Sequence, residues 1–347
     1  MGGKFIGYWD FFAREAKLAN APLYVRLSEG VGGDEALQEL AGHVRAGQPF
    51  ANILFASVHF LLLRGARHPL RKHYPSLNEG PAPLGEDPFP LFADFCAKHR
   101  EDLLPLIKTR VTNTNEVGRC GTLNAGFRAV AKEAGAPLHL IEVGPSAGLN
   151  LIWDRYRIRY FRGAEEFFTD VPDAKLTIDV ELKGEKIPPH GAAPKIASRV
   201  GLELNPVDLS NPDDRDWLRA LVFPDRVERF ARLEKALAIY ETARPQIRFG
   251  NALDLLPQTL ARIPEHEPVC VYHSFVTYQF DDELRAAFSD LLTVAGLRRP
   301  IWRLSLEGLV THESPLTLMR YRDGEKQERI LAQAQPHGAW LEWLDPA

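Results

Sequence analysis

A run of fourteen residues, LHLIEVGPSAGLNL (138–151), holds the densest group of chemically capable side chains in the chain. Gly144-Pro145-Ser146-Ala147-Gly148 fits G-x-S-x-G, the sharp turn that exposes a nucleophilic serine for acyl hydrolysis. The same residues, read with Glu142, fit an acid at a strand end followed by a small-residue loop, E-x-G-x-S-x-G, of the kind that lets a backbone approach a nucleoside cofactor. The first reading needs an acid and a histidine further on. His273, His312 and His337 supply histidines. The second needs LHLIEV to be the first strand of an open sheet, because ligands sit beyond the carboxyl ends of such strands where their order reverses. The third glycine of a dinucleotide loop would fall at Leu149, so a pyrophosphate site is poorly matched. No Gly-Lys-Ser/Thr follows, which excludes a P-loop.

The surrounding pattern predicts how this loop is held. Before residue 137 the texture is helical: FIGYWDFFAREAKLA, DEALQELAGHVRAG with Asp34 as cap and Gly47 near the stop, and the strongly apolar NILFASVHFLLLRG. LYVRL is ambiguous between strand and helix. YPSLNEGPAPLGEDPFP (74–90) contains five prolines and reads as a connector. In TNTNEVGRCGTLNAGF, Asn113 and Glu116 have capping-box spacing. After residue 137 short apolar strands alternate with helices: LHLIEV, SRVGLELNPVDL, QIRF, VCVYHS and PIWRLSL. KLTIDVELKGEKI predicts a hairpin turning at Lys-Gly-Glu, and the Arg-Asp-Gly-Glu turn predicts a terminal one. The expected fold is therefore α/β: a Rossmann-like, mostly parallel sheet with a terminal antiparallel hairpin at one edge, preceded by a helical N-terminal region. The expected domains are 1–112, a helical lid or substrate region, and 113–347, with a hairpin-containing insert at about 154–195.

Composition narrows the function classes. With 45% apolar and 25% charged residues and a net charge of −4, the 347-residue chain has no bulk charge favouring nucleic acid or an anionic membrane. Cys96, Cys120 and Cys270 form no C-x-x-C pair and read as reduced thiols of a cytoplasmic protein. The N-terminus MGGKFIGYW lacks a secretory h-region and the myristoylation pattern, and no apolar run approaches the ~20 residues of a membrane span. No paired Cys/His spacing appears, so no metal site is expected.

The strand-end residues resemble class I S-adenosylmethionine-dependent methyltransferases over about residues 137–345. The resemblance assigns Glu142, Gly144, Ser146 and Gly148, with Asn150 just beyond, to the first loop. It assigns Glu203 in VGLELNP to the ribose hydroxyls, with Asp208 as the alternative, and Asn251 and Ala252 of Gly-Asn-Ala to the adenine edge. Tyr272 and His273 then mark the reaction centre, with His273 as base and Tyr272 or Tyr278 positioning the acceptor. Ser146 stands where that superfamily has glycine, and its fourth-strand Asn-Pro-Pro-Tyr is absent. Over the whole chain TNTNEVGR, EVGPSAGLNLIWDRY, ELNPVDL, WLRALVFPD, GNALDLLP and YHSFVTYQ resemble an uncharacterised bacterial family, domain of unknown function 2332. That resemblance brings Asn115 and Arg119, one helical turn apart, to the site. The resulting expectation is an S-adenosylmethionine-binding protein, a methyltransferase on an unknown acceptor. The alternatives are a non-catalytic nucleoside-binding or protein-interaction module on the same fold, and an α/β-hydrolase using Ser146. The expected partners are a small-molecule cofactor and acceptor, without nucleic acid or membrane.

Overall fold

The structure, a computed structural model, describes residues 7–78, 85–308 and 313–345. His312 and residues 79–84 of the proline connector lie outside the described residues. The chain forms two compact units: residues 1–114 with 207–231, and residues 115–206 with 232–347.

The first unit is helical. It contains α1 (Tyr8–Leu18), α2 (Pro22–Gly32), α3 (Glu35–Ala41), α4 (Phe50–Leu63), α5 (Phe89–Lys98) and α6 (Arg100–Thr109). Further along the chain, after α7 (Cys120–Ala134) of the other unit, it takes in α8 (Pro212–Ala220). LYVRL is part of α2. Pro22 opens that helix, and Leu23, Leu27 and Val31, four apart, bury one face. Asp34 caps α3 by accepting from the Leu37 amide at 2.9 Å, as expected, but the helix stops at Ala41, well before Gly47. α4 is buried around nearly its whole circumference, which makes it the axis of the unit. Its Phe55 ring centre lies 4.8 Å from that of Tyr24, 5.6 Å from Phe92, 5.8 Å from Phe12 and 6.0 Å from Trp9.

The second unit carries every strand of a twelve-stranded sheet. The strands are β1 (Leu138–Val143), β2 (Arg157–Arg162), β3 (Glu165–Asp170), β4 (Thr177–Lys183), β5 (Gly191–Ala192), β6 (Ile196–Glu203), β7 (Gln246–Phe249), β8 (Val269–Ser274), β9 (Ile301–Leu306), β10 (Ser314–Arg322), β11 (Glu325–Ala334) and β12 (Trp340–Trp343). Their order is β5-β3-β2-β4-β12-β11-β10-β9-β8-β1-β6-β7. β7, β6, β1, β8 and β9 are mutually parallel neighbours, and β1 and β8 are buried at every residue, the mark of strands covered on both faces. α9 (Val227–Ala243), α10 (Ala252–Leu260) and α11 (Asp282–Gly296) follow β6, β7 and β8 in the chain. α7 lies close on the sheet because two of its residues are glycines. A Cβ on Gly121 would sit 2.4 Å from Val180 Cγ2, and one on Gly126 would sit 2.7 Å from Leu304 Cδ2.

Three local expectations are corrected. The Lys-Gly-Glu segment makes no hairpin: β4 is a single strand, parallel to β2 on one side and to β12 on the other. The hairpin of this region is β2–β3, turning at Gly163-Ala164. The terminal hairpin β10–β11 does form, with Asp323 and Gly324 both at positive φ as a two-residue turn requires, but it is internal rather than at an edge. β12 continues the sheet and joins it to β4. Finally, Asn113 does not cap α7. A 3-10 turn at Val117–Arg119 precedes the helix, and it is Glu116 that accepts from the Gly118 amide at 3.0 Å.

Candidate functional site

The five parallel strands run in the order third-second-first-fourth-fifth, so the direction of winding reverses between β1 and β8. That reversal opens the crevice in which open α/β sheets hold ligands, at the carboxyl ends of the strands. The loop after β1 and the residues Tyr272-His273-Ser274 that end β8 therefore meet at the switch point.

The loop is a chain of left-handed residues: Gly144 at φ 70°, Ser146 at 55° and Gly148 at 81°. For Ser146 that conformation costs about 1–2 kcal/mol, and partners on both sides hold it. The Gly144 amide donates to Leu202 O (2.9 Å), Ser146 to Glu203 Oε2 (2.8 Å), Gly148 to Pro145 O (2.8 Å) and Leu149 to Asn115 Oδ1 (2.9 Å). Glu203, the last residue of β6, also accepts from the Asn205 amide at 2.9 Å. Glu203 and Asn115 thus join the loop directly, as pinning groups. Ser146 is 2% exposed, so the loop does not display a hydroxyl at the top of the sheet.

The glycines' bare faces are covered by protein rather than left open. A Cβ on Gly144 would sit 2.6 Å from Val276 Cγ2, and one on Gly148 would sit 3.0 Å from Ile247 Cδ1. Val276 belongs to the segment after β8, which has a clasp of its own. Glu307, one residue past β9, accepts from the amides of Val276 (2.9 Å), Thr277 (3.2 Å) and Tyr278 (3.3 Å) and pairs with His273 Nδ1 at 2.6 Å. Phe275, in the same segment, is left-handed at φ 56°. Burial pushes Glu307 towards protonation, but the His273 hydrogen bond and the backbone donors prevail and hold it below the ordinary value. His273 is fully enclosed. Burial depresses its basicity, and its Nε2 accepts from Arg303 Nε at 2.9 Å. Both ring nitrogens are committed, so in this arrangement His273 is a girder for the segment, with no lone pair to offer a substrate.

The other expected residues divide between the crevice and the layer beneath it. Glu142 is buried and accepts from the Tyr272 hydroxyl at 3.1 Å. Its carboxyl is pushed up to about 8. Burial is the main cause, the Tyr272 hydrogen bond opposes it, the Glu203 charge adds to it and Arg119 opposes it. Burial and the Glu142 charge raise the Tyr272 phenol well above its usual range. Asn150 is buried, with its Oδ1 3.2 Å from Cys120 Sγ. Arg119 donates to Pro336 O (3.0 Å) and Ser274 O (3.3 Å), and its guanidinium lies 4.2 Å from the Phe275 ring centre. Asn251 caps α10 through the Leu253 amide at 2.9 Å, and Ala252 is that helix's first residue. At the crevice rim stand Tyr278 (54% exposed), Leu204 (60%) and Phe249 (73%), the last opposite Glu203 in the β6–β7 register.

Sequence reasoning missed Glu307, Arg303 and Val276. Glu307 carried a usable signal: it directly follows an apolar strand, IWRLSL, much as Glu203 closes β6 and Glu142 stands one residue from the end of β1. All three cysteines are buried and free. Among the described residues no group of three or more His, Cys, Asp or Glu could hold a metal ion, and no helix is long and apolar enough to cross a membrane.

Fold and site together define a Rossmann-like α/β unit with its crevice at a topological switch point, in a chain that also builds a helical unit. The chain belongs to the family described as an uncharacterized protein conserved in bacteria (DUF2332), whose family model matches residues 9–343. No curated protein and no solved structure matches it.

Proposed function

We infer that the switch-point crevice binds S-adenosylmethionine and that the chain is a methyltransferase acting on an acceptor yet to be identified. The observation that carries this reading is Glu203. A strand-end carboxylate bonds the amide of the left-handed first loop, beside the exposed Leu204 and Phe249. Two backbone bonds leave that carboxylate lone pairs for ribose hydroxyls. Leu204 and Phe249 offer apolar faces to a purine, and Asn251, exposed at the start of α10, offers an amide to its edge. On the β8 side the fit requires a movement, because Val276 covers Gly144; the segment held by Glu307 must withdraw for the cofactor to lie along the loop.

The bound cofactor would supply a methyl group already activated by its sulfonium charge. The chain's own part is to hold, orient and exclude water. With His273 committed to Glu307 and Arg303, the exposed Tyr278 is the group placed to orient an acceptor. That arrangement suits an acceptor whose attacking atom needs no proton removed by His273. Hydrolysis at Ser146 is the weaker reading, because the serine is buried and His273 has no free nitrogen for it.

Titration calorimetry with S-adenosylmethionine and S-adenosylhomocysteine tests the reading. Binding is expected in the native protein, weakened at least tenfold by Glu203→Ala and strengthened by Val276→Ala. No heat at millimolar ligand in either the native protein or Val276→Ala would overturn it and leave the interaction-module alternative in front.

A further inference from the structure

The amino ends of the same strands hold a second constellation, independent of the switch-point crevice. His139 is the second residue of β1, Ser198 the third of β6, and Glu267 lies two residues before β8. β6, β1 and β8 are adjacent, so the three side chains come from neighbouring strand starts at the opposite edge of the sheet from the loop of Ser146. Ser198 stands directly across from His139 in the register. This pairing depends on an irregularity. Leu138 faces Ile196 and His139 faces Ser198, so Ala197 opposes no residue of β1. Such a bulge re-aims the side chain that follows it.

The geometry is that of a serine activated by an oriented base. The Ser198 hydroxyl lies 2.7 Å from His139 Nδ1. His139 Nε2 is hydrogen-bonded to Glu267 Oε2. The carboxylate accepts only, so it places the imidazole proton on Nε2 and leaves the Nδ1 lone pair facing the serine. The ring nitrogens are exchanged relative to the usual serine-histidine-acid order, but the roles of nucleophile, base and orienting acid are complete. His139 is 8% exposed and fixed between strands, whereas Ser198 is exposed to solvent and to anything dissolved in it. A histidine needing only a partner for each nitrogen would be served as well by a buried group. Here the partner on the lone-pair side is a primary hydroxyl at the open surface.

We propose that Ser198, His139 and Glu267 form a nucleophilic centre for small activated esters. Ser198 Oγ bonds to the ester carbonyl carbon while its proton passes to His139 Nδ1. The carbon–oxygen bond to the leaving group then breaks, and the alcohol or phenol departs with that proton. Water, giving up a proton to Nδ1, releases the acid and restores the serine, so one ester and one water become one acid and one alcohol. The open setting selects the substrate class. A shallow edge gives little binding, so the centre suits short acyl groups on leaving groups good enough to depart readily, such as aryl esters.

The test uses the full chain with p-nitrophenyl acetate, following nitrophenol release and mapping the acetylated peptide by mass spectrometry. The expected result is acetylation at Ser198, abolished in Ser198→Ala. Nitrophenol release should fall roughly 100-fold in His139→Gln, the scale of a lost general base, and fall by less in Glu267→Gln. Ser198→Cys should still be acylated. Release unchanged in Ser198→Ala, or acetyl groups mapping to Lys195 or Ser146 instead, would overturn the proposal. Neither outcome bears on S-adenosylmethionine binding at the other edge.

Discussion

Replacing Glu142 by glutamine should stabilise the protein at alkaline pH and leave it nearly unchanged at pH 5. Glu142 lies at the base of the switch-point loop, buried, with a carboxyl raised from 4.5 to about 8 chiefly by burial. Between those values the unfolded chain has released its proton while the native protein retains one. Stability therefore falls as pH rises through that window, and the full penalty is present above about 8. At about 1.4 kcal/mol per pH unit the penalty approaches ~5 kcal/mol; relaxation of the surroundings reduces it, and half that figure is still readily measured. Glutamine keeps a carbonyl to accept from the Tyr272 hydroxyl, now 3.1 Å from the carboxyl, and carries no charge to bury. Urea unfolding of both proteins at half-unit steps from pH 5 to 9 gives the difference directly. It should grow steadily in favour of Glu142→Gln and level off near pH 8. Parallel curves across the range would show that Glu142 ionises in the native protein as freely as in solution, and would refute the argument from burial.

Gly144→Ala should cost roughly 2–4 kcal/mol, combining a positive φ of 70° with a methyl group driven to 2.6 Å from Val276. Adding Val276→Ala should recover the crowding part alone, which a double-mutant cycle in denaturant would resolve. The Glu307 clasp should loosen in acid. His273 is depressed in the fold, so its contribution is lost as pH falls below the unfolded value near 6.5, and that of Glu307 is lost below about 4.5. Amide exchange at Val276, Thr277 and Tyr278, corrected for intrinsic rates, should accelerate from pH 7 to pH 5; unchanged protection would count against the clasp.

What could be read from the residues was whatever the chain decides locally. LHLIEV and VCVYHS are short apolar runs stopped by turn residues, and both are fully buried parallel strands. The Asp-Gly turn announced the β10–β11 hairpin because two adjacent left-handed residues suit few other sequences. Non-local pairing was not legible. The alternation in TIDVELK shows a strand with one buried face, yet nothing in it says that its neighbours are β2 and β12 rather than the residues just beyond Gly184. At the site the same limit applies. Loop conformation and the strand-end acid Glu203 could be anticipated, whereas Val276 covering Gly144 and Glu307 engaging His273 depend on how distant strand ends align. The trio of His139, Ser198 and Glu267 has no spacing signature at all; it exists only through register.

One junction in the sheet has a consequence for how the protein is made. β4, complete at residue 183, has β12 as its neighbour on one side, and β12 begins only at residue 340. During synthesis from the ribosome the β2–β5 segment therefore waits, its unpaired backbone groups a template for other chains, while the parallel strands β6 to β9 emerge. A nascent chain stalled before Trp340 would carry a half-finished ribbon, and such chains should be the ones that chaperones hold longest.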